Sequence, residues 1–167
     1  MTIHEEHPFV PPEGERDPLR RLRGRLPAAV TVWATGRGRE RAGLTVSSML
    51  IAAGEPAQVV ALVDEESPLW DAEPETAVIS VLGPDHRFLA DAFAGQAPAP
   101  GGPFTLGAWH DETWGPRLDD ATGWLGVRID HDAVRPLGWS LLVTATVEHV
   151  AVAGDEVLTH VRGRYRT

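Results

Sequence analysis

The chain contains no cysteine. Disulfides, thiolate nucleophiles, cysteine-ligated zinc and iron–sulfur clusters are excluded together. Any redox chemistry must come from a bound or diffusible cofactor. Long apolar runs are absent too: none approaches the roughly 20 residues that span a bilayer, so no membrane contact is expected. Positive charge is scarce, with 15 Lys and Arg against 24 Asp and Glu for a net charge of -9. General nucleic-acid binding, which needs a basic face, is disfavoured. The opening residues Met1-Thr2-Ile3-His4-Glu5-Glu6-His7 are polar and acidic, unlike a secretory signal, and a cytoplasmic protein is expected.

What is present suits one domain. The 167 residues are 43% hydrophobic and 23% charged, ordinary values for a globular fold with a real core. Residues 1–16, rich in Pro, Glu and His without periodicity, read as a disordered arm; residues 17–167 read as the domain. Asp17-Pro18 reads as a cap and first position of a short helix ending near Gly24 or Pro27. The Arg-rich piece Arg20 to Arg25 reads as its solvated face.

Strands dominate the rest. Val30, Val32 and Ala34 alternate with Thr31 and Trp33. Gln58 to Val63 and Thr76 to Leu82 are apolar runs of strand length with both faces covered. Asp85 reads as the cap of a helix whose apolar face is Phe88, Leu89, Ala92 and Phe93, stopped by Gly95. Residues 96–103 read as a loop and Phe104 to Pro116 as irregular. Strands return at Thr122 to Ile129, Trp139 to Val152 and Glu156 to Arg162. Polar Glu148-His149 marks a bend or bulge in the long one, and Ala153-Gly154-Asp155 reads as a hairpin turn. Many short strands and few helices imply a β-barrel or sandwich.

Gly43-Leu44-Thr45-Val46-Ser47-Ser48-Met49 follows a strand and a basic turn. From the residues alone it is either a polar turn or a cradle of backbone N–H groups and hydroxyls for a phosphate or a ring edge. His86 and Arg87 are either an exposed first helical turn or an anion site at a helix N-terminus. Trp109, Trp114, Trp124 and Trp139 are either core and interface residues or stacking surfaces. Gly36-x-Gly38 lies between strands and is a turn, not a dinucleotide fingerprint. His4-Glu5-Glu6-His7 lacks the spacing of a zinc helix. Asp119-Asp120, adjacent on a strand, point to opposite faces. No metal site is expected.

The order of pieces from about residue 26 onward resembles the flavin reductase-like domain family, the FMN-binding split barrels. The matching segments are Gly43-Leu44-Thr45-Val46-Ser47-Ser48, the strand led by Pro56, Ser67 in Asp64-Glu65-Glu66-Ser67-Pro68, and Ile79-Ser80-Val81-Leu82. They continue with Leu89-Ala90-Asp91-Ala92-Phe93-Ala94-Gly95, Gly115-Pro116-Arg117-Leu118, and Leu158-Thr159-His160-Val161-Arg162-Gly163-Arg164-Tyr165. Two departures stand out. Ser80 replaces the family asparagine, and Gly138-Trp139-Ser140 stands where reductases carry Gly-Asp-His for nicotinamide recognition.

The resemblance implies a mainly β, Greek-key split barrel with short peripheral helices, forming a homodimer. It implies FMN or FAD held by Thr45, Val46, Ser47, Ser48, Met49, Ser67, Ser80, Leu82, His86 and Arg87. Trp139 and Ser140 would lie on the nicotinamide or substrate side, and His160 near the flavin as the candidate catalytic group. The implied activity is a flavin reductase that takes a hydride from NADH or NADPH and can supply a monooxygenase. The alternative is an FMN-binding protein without nicotinamide turnover, an electron carrier or small-ligand binder.

Overall fold

The computed structural model describes residues 17–167; the arm expected over 1–16 lies outside them. Helix α1 (Pro18–Gly24) opens the described chain, with Asp17 at its N-cap but making no side-chain capping bond. Thirteen short strands follow: β1 (Ala28–Ala29), β2 (Thr31–Thr35), β3 (Ala42–Val46), β4 (Met49–Ala52), β5 (Gln58–Val63), β6 (Thr76–Val81), β7 (Trp109–Asp111), β8 (Pro116–Leu118), β9 (Gly123–Ile129), β10 (Arg135–Leu137), β11 (Ser140–Val152), β12 (Thr159–Val161) and β13 (Arg164–Arg166). Helices α2 (Pro68–Asp71) and α3 (Arg87–Phe93) flank β6 in sequence.

The main sheet runs β3-β2-β6-β9-β11-β5-β4, with β10 paired to β11. Its neighbouring strands pair antiparallel throughout. β3 and β4 occupy opposite ends of that order, yet only Ser47 and Ser48 separate them in sequence. Two residues cannot cross a flat sheet of this width. The sheet must therefore curl until its ends meet, giving a half-barrel. Ser48 clips the corner: its Oγ donates to the Leu62 carbonyl at 2.8 Å and accepts from the Leu62 N–H at 3.2 Å.

Strand alternation then sorts side chains onto two cores. Inside the curl pack Trp33, Val46, Val59, Ala61, Val63, Ile79, Leu125, Val127 and Val143, all buried. Against the outer face of β2 and β6 pack Val30, Val32, Leu82, Leu89, Phe93, Leu118 and Leu158. That second layer exists because α3, the β7–β8 hairpin and the three-stranded sheet β1-β12-β13 cover the face.

Several expectations hold, and several are corrected. The register shifts between Val147 and His149, so the bulge falls at Glu148. In α3, Phe88 in the first turn is exposed, and Ala90 joins Leu89 and Phe93 on the buried face instead. Asp85 makes no cap; the preceding 3-10 turn Pro84–His86 is closed instead by the Gly83 N–H donating to His86 Nδ1 at 3.0 Å. Ala153-Gly154-Asp155 is not a hairpin turn. The amides of Ala153 and Gly154 both donate to the Thr122 carbonyl at 2.8 Å, and β12 pairs β1 and β13, never β11. The strand expected over Glu156 to Arg162 shrinks to β12. The hairpin lies one step later, where Arg162 and Gly163 both adopt positive φ, 52° and 72°, a turn that glycine eases. The stretch expected to be irregular holds the β7–β8 hairpin.

Gly126 shows how tightly the outer layer sits. Trp114 lies flat on it, so an added Cβ would fall 2.4 Å from the indole. Gly126→Ala is expected to cost about 1–3 kcal/mol through forced repacking. Chemical denaturation combined with a shift in tryptophan emission checks this; unchanged stability would show that Trp114 swings away freely.

Candidate functional site

Because β3 ends the sheet order, one of its long edges has no strand partner among the described residues. An edge strand presents alternate backbone N–H and C=O groups sideways. Here that edge faces a cleft of about 320 Å³, within the size range of small-ligand sites. Its floor is Arg41, Ala42, Gly43 and Leu44. Ser67 and Pro68, at the start of α2, form one wall, and Ala92 to Gly95, at the end of α3, form another. Phe93 and Phe104 meet edge-on, centroids 4.9 Å apart, and give an apolar side.

The walls are anchored. Thr45 Oγ1 donates to the Ala90 carbonyl at 2.7 Å and ties α3 to β3. Ser67 caps α2 by accepting from the Trp70 N–H at 3.3 Å, which leaves its own hydroxyl proton to donate. On the far side of α3, Tyr165 of β13 donates to Asp91 Oδ1 at 2.9 Å. Burial, and then Asp91, raise the Tyr165 pKa well above the ordinary tyrosine value.

The residues expected to hold a cofactor fall into separate groups. Ser67 lines the cleft, and Thr45 adjoins it on β3. Ser47 and Ser48 sit exposed at the β3–β4 corner, and half-buried Met49 packs its side chain on the barrel core. Val46 is buried inside the curl, and its carbonyl accepts from Thr31 Oγ1 at 2.6 Å. Ser80 is buried under β8, its Oγ accepting from the Leu118 N–H at 3.1 Å. Leu82 is fully buried in the outer core. His86 is buried as well; its Nε2 lies 3.1 Å from Asp120 Oδ2 but is not aligned for a hydrogen bond. Arg87 next to it is exposed. His160 stands on β12 against the ring of Tyr165, centroids 5.4 Å apart, on the outer layer and not in the cleft lining.

Trp139 is fully exposed, at the tip of the β10–β11 hairpin with Gly138. β11 pairs Leu141 with Val63. That pair is the last of the ladder, and the next residue of the partner strand opens the loop whose Asp64, Glu66 and Ser67 line the cleft. Ser140 opposes Leu137 in the same hairpin. Arg41 and Phe104 are cleft residues that the sequence reading did not single out; the basic turn before Gly43 was the only signal for Arg41. Trp114, Trp124 and His149 form a separate aromatic cluster on the outer face of β9, with His149 4.3 Å from Trp124. Among the described residues no group of three or more His, Cys, Asp or Glu is placed to hold a metal.

An antiparallel half-barrel that offers a strand edge, the Ser67 hydroxyl and an aromatic wall in one cleft suits a flat, polar-edged ring. Residues 23–167 match the family described as the flavin reductase like domain, and the chain belongs to it. A curated relative, an FMN reductase (NADH) RutF from Ancylobacter novellus, is 30% identical over 106 residues, covering 62% of this chain. The chain spans only 58% of that relative's length in the match. Among solved structures, the NADH:FAD oxidoreductase SgcE6 of Streptomyces globisporus C-1027, in complex with NAD and FAD fragments, superposes with a TM-score of 0.78 at 23% identity, covering 89% of this chain and 90% of that one. Nitrilotriacetate monooxygenase component B from Mycobacterium thermoresistibile gives 0.78 at 19% identity, covering 89% and 83%. These two likenesses establish the fold.

The Tyr165 hydroxyl supplies a pH signature for the α3 wall. A raised folded pKa means that the neutral phenol is favoured in the folded state, so the contribution is intact below the unfolded value of about 10 and is lost as pH rises above it. Wild-type stability is expected to fall between about pH 10 and 12 more steeply than that of Tyr165→Phe. Denaturation midpoints across that window test it, and parallel curves would show that the Asp91 contact carries no such linkage.

Proposed function

We propose that the protein is a flavin reductase that passes a hydride from NADH or NADPH to FMN or FAD. The observation that carries this reading is the cleft along the free edge of β3. Backbone groups there suit the donor–acceptor edge of a flavin ring, Ser67 suits its polar chain, and Phe93 and Phe104 suit its apolar flank. The residues present therefore fit a flavin. Bound flavin supplies the two-electron chemistry. The chain's own part is to hold the ring, exclude water from one side of it and leave the other side open to the donor.

Trp139 and Ser140 are placed by this reading on the donor side, at the hairpin beside the acidic loop. His160 would act only if the tail sheet or a second copy brings it toward the ring. A homodimer is also proposed. Leu50, Leu62 and Leu137 lie on the outer face of the β4-β5-β11-β10 stretch and are 72%, 40% and 43% exposed, next to Val60 and Leu142. A sheet face this apolar suits a self-complementary contact. Reduced flavin would then serve a monooxygenase or a similar flavin-consuming enzyme in the cytoplasm. Among the described residues no helix is long and apolar enough to cross a membrane.

A second reading keeps the flavin and drops nicotinamide turnover. It is favoured by Gly138-Trp139-Ser140, which lacks the acid and imidazole of the family motif and exposes an indole instead. Anaerobic mixing with FMN, then NADH, then NADPH separates the two. Flavin absorbance is expected to bleach at least about tenfold faster than in a protein-free control. Bound flavin that stays oxidised would sink the reductase reading and leave the binding one. Leu62→Glu is expected to convert the dimer to monomer by light scattering; an unchanged mass would move the interface elsewhere.

A further inference from the structure

The cleft is unevenly charged. Of the described residues that line it, Arg41 is the one cation, and Asp64 and Glu66 are the acids. Both acids are exposed, so water and salt screen them. The Arg41 side chain is only 21% exposed. Its Nε and Nη2 donate to Asp111 Oδ1 at 3.2 and 2.9 Å. Its guanidinium carbon lies 5.9 Å from the centre of the Phe104 ring. These contacts fix the group at the cleft wall before any ligand arrives. A guanidinium carries five N–H donors in a fork that matches phosphate oxygens, and Asp111 takes two of them.

We propose that Arg41 binds the phosphate of the flavin, and so makes the protein prefer phosphorylated flavins to riboflavin. This rests on the reading of the cleft as the flavin site. Asp111, whose side chain is 31% exposed, offsets part of the Arg41 charge but leaves three guanidinium N–H groups free to take phosphate oxygens. Asp111 has two effects in this arrangement. It orients Arg41, and it competes with the phosphate for the guanidinium. Arg87, exposed at the opposite end of α3 from the cleft residues, is outside the lining and makes no such contact.

The test compares binding of FMN and riboflavin by flavin fluorescence in wild type, Arg41→Gln, Arg41→Lys and Asp111→Asn. Arg41→Gln is expected to weaken FMN about tenfold or more, the scale of a lost charge-assisted bond, and riboflavin by less than about twofold. Arg41→Lys should recover part of the FMN loss. Asp111→Asn, which removes the competing carboxylate, should tighten FMN and leave riboflavin unchanged; it decides the question if Arg41→Gln does not fold. Equal losses for both flavins, or no loss for FMN, would overturn the role of Arg41 while the flavin site stands. Wild-type protein that binds neither flavin would overturn the flavin reading and this role with it.

Discussion

Closure of the sheet at a two-residue corner is the constraint on which the rest of the architecture depends. Ser47 and Ser48 hold the two ends of the strand order within a single turn of chain. With the ends pinned, alternate residues of β5, β6, β9 and β11 converge on one interior, and Trp33 fills it. The same closure determines which edge stays open. β3 must terminate the sheet, and its unpaired side becomes the floor of the cleft. The corner thus couples the packing of the barrel to the placement of a site. The Ser48–Leu62 pair does this with two hydrogen bonds on an exposed serine, each a modest contributor of about 1 kcal/mol.

A second layer makes the edge into a pocket. An open strand edge alone would invite pairing with another chain. Here α3 leans over it through Thr45 and Ala90, and α2 blocks one end. Gly43 is part of that fit: a Cβ there would stand 2.9 Å from the Phe93 ring. The aromatic wall of Phe93, Phe104 and Trp109 is mutually edge-on. Such contacts keep rings from collapsing into the space they border.

Elements whose residues carried their own signal were legible in the sequence. β5, β6 and β9 are apolar or alternating runs, and each appears within a residue or two of its expected bounds. Elements that owe their form to distant partners were not. β12 is a strand because β1 and β13 flank it, and Ala153 and Gly154 turn inward to share the Thr122 carbonyl. The site divides in the same way. Ser67 could be named from its motif, but Arg41 and Phe104 meet only through the fold. Nor does spacing distinguish a hydroxyl that faces a ligand from one that holds a neighbouring strand, as Ser80 holds β8.

The Tyr165–Asp91 contact joins residues 74 positions apart, and β13 reaches it only after pairing with β12. During synthesis, β3 and α3 leave the ribosome long before the strand that braces them. Until β13 emerges, the α3 wall is held by Thr45 and by its packing but lacks the Tyr165 brace, so a ligand met early would find an unfinished receptor. Maturation of the pocket is therefore tied to completion of a late hairpin, and a ligand that grips only the finished form would favour chains that have gained it.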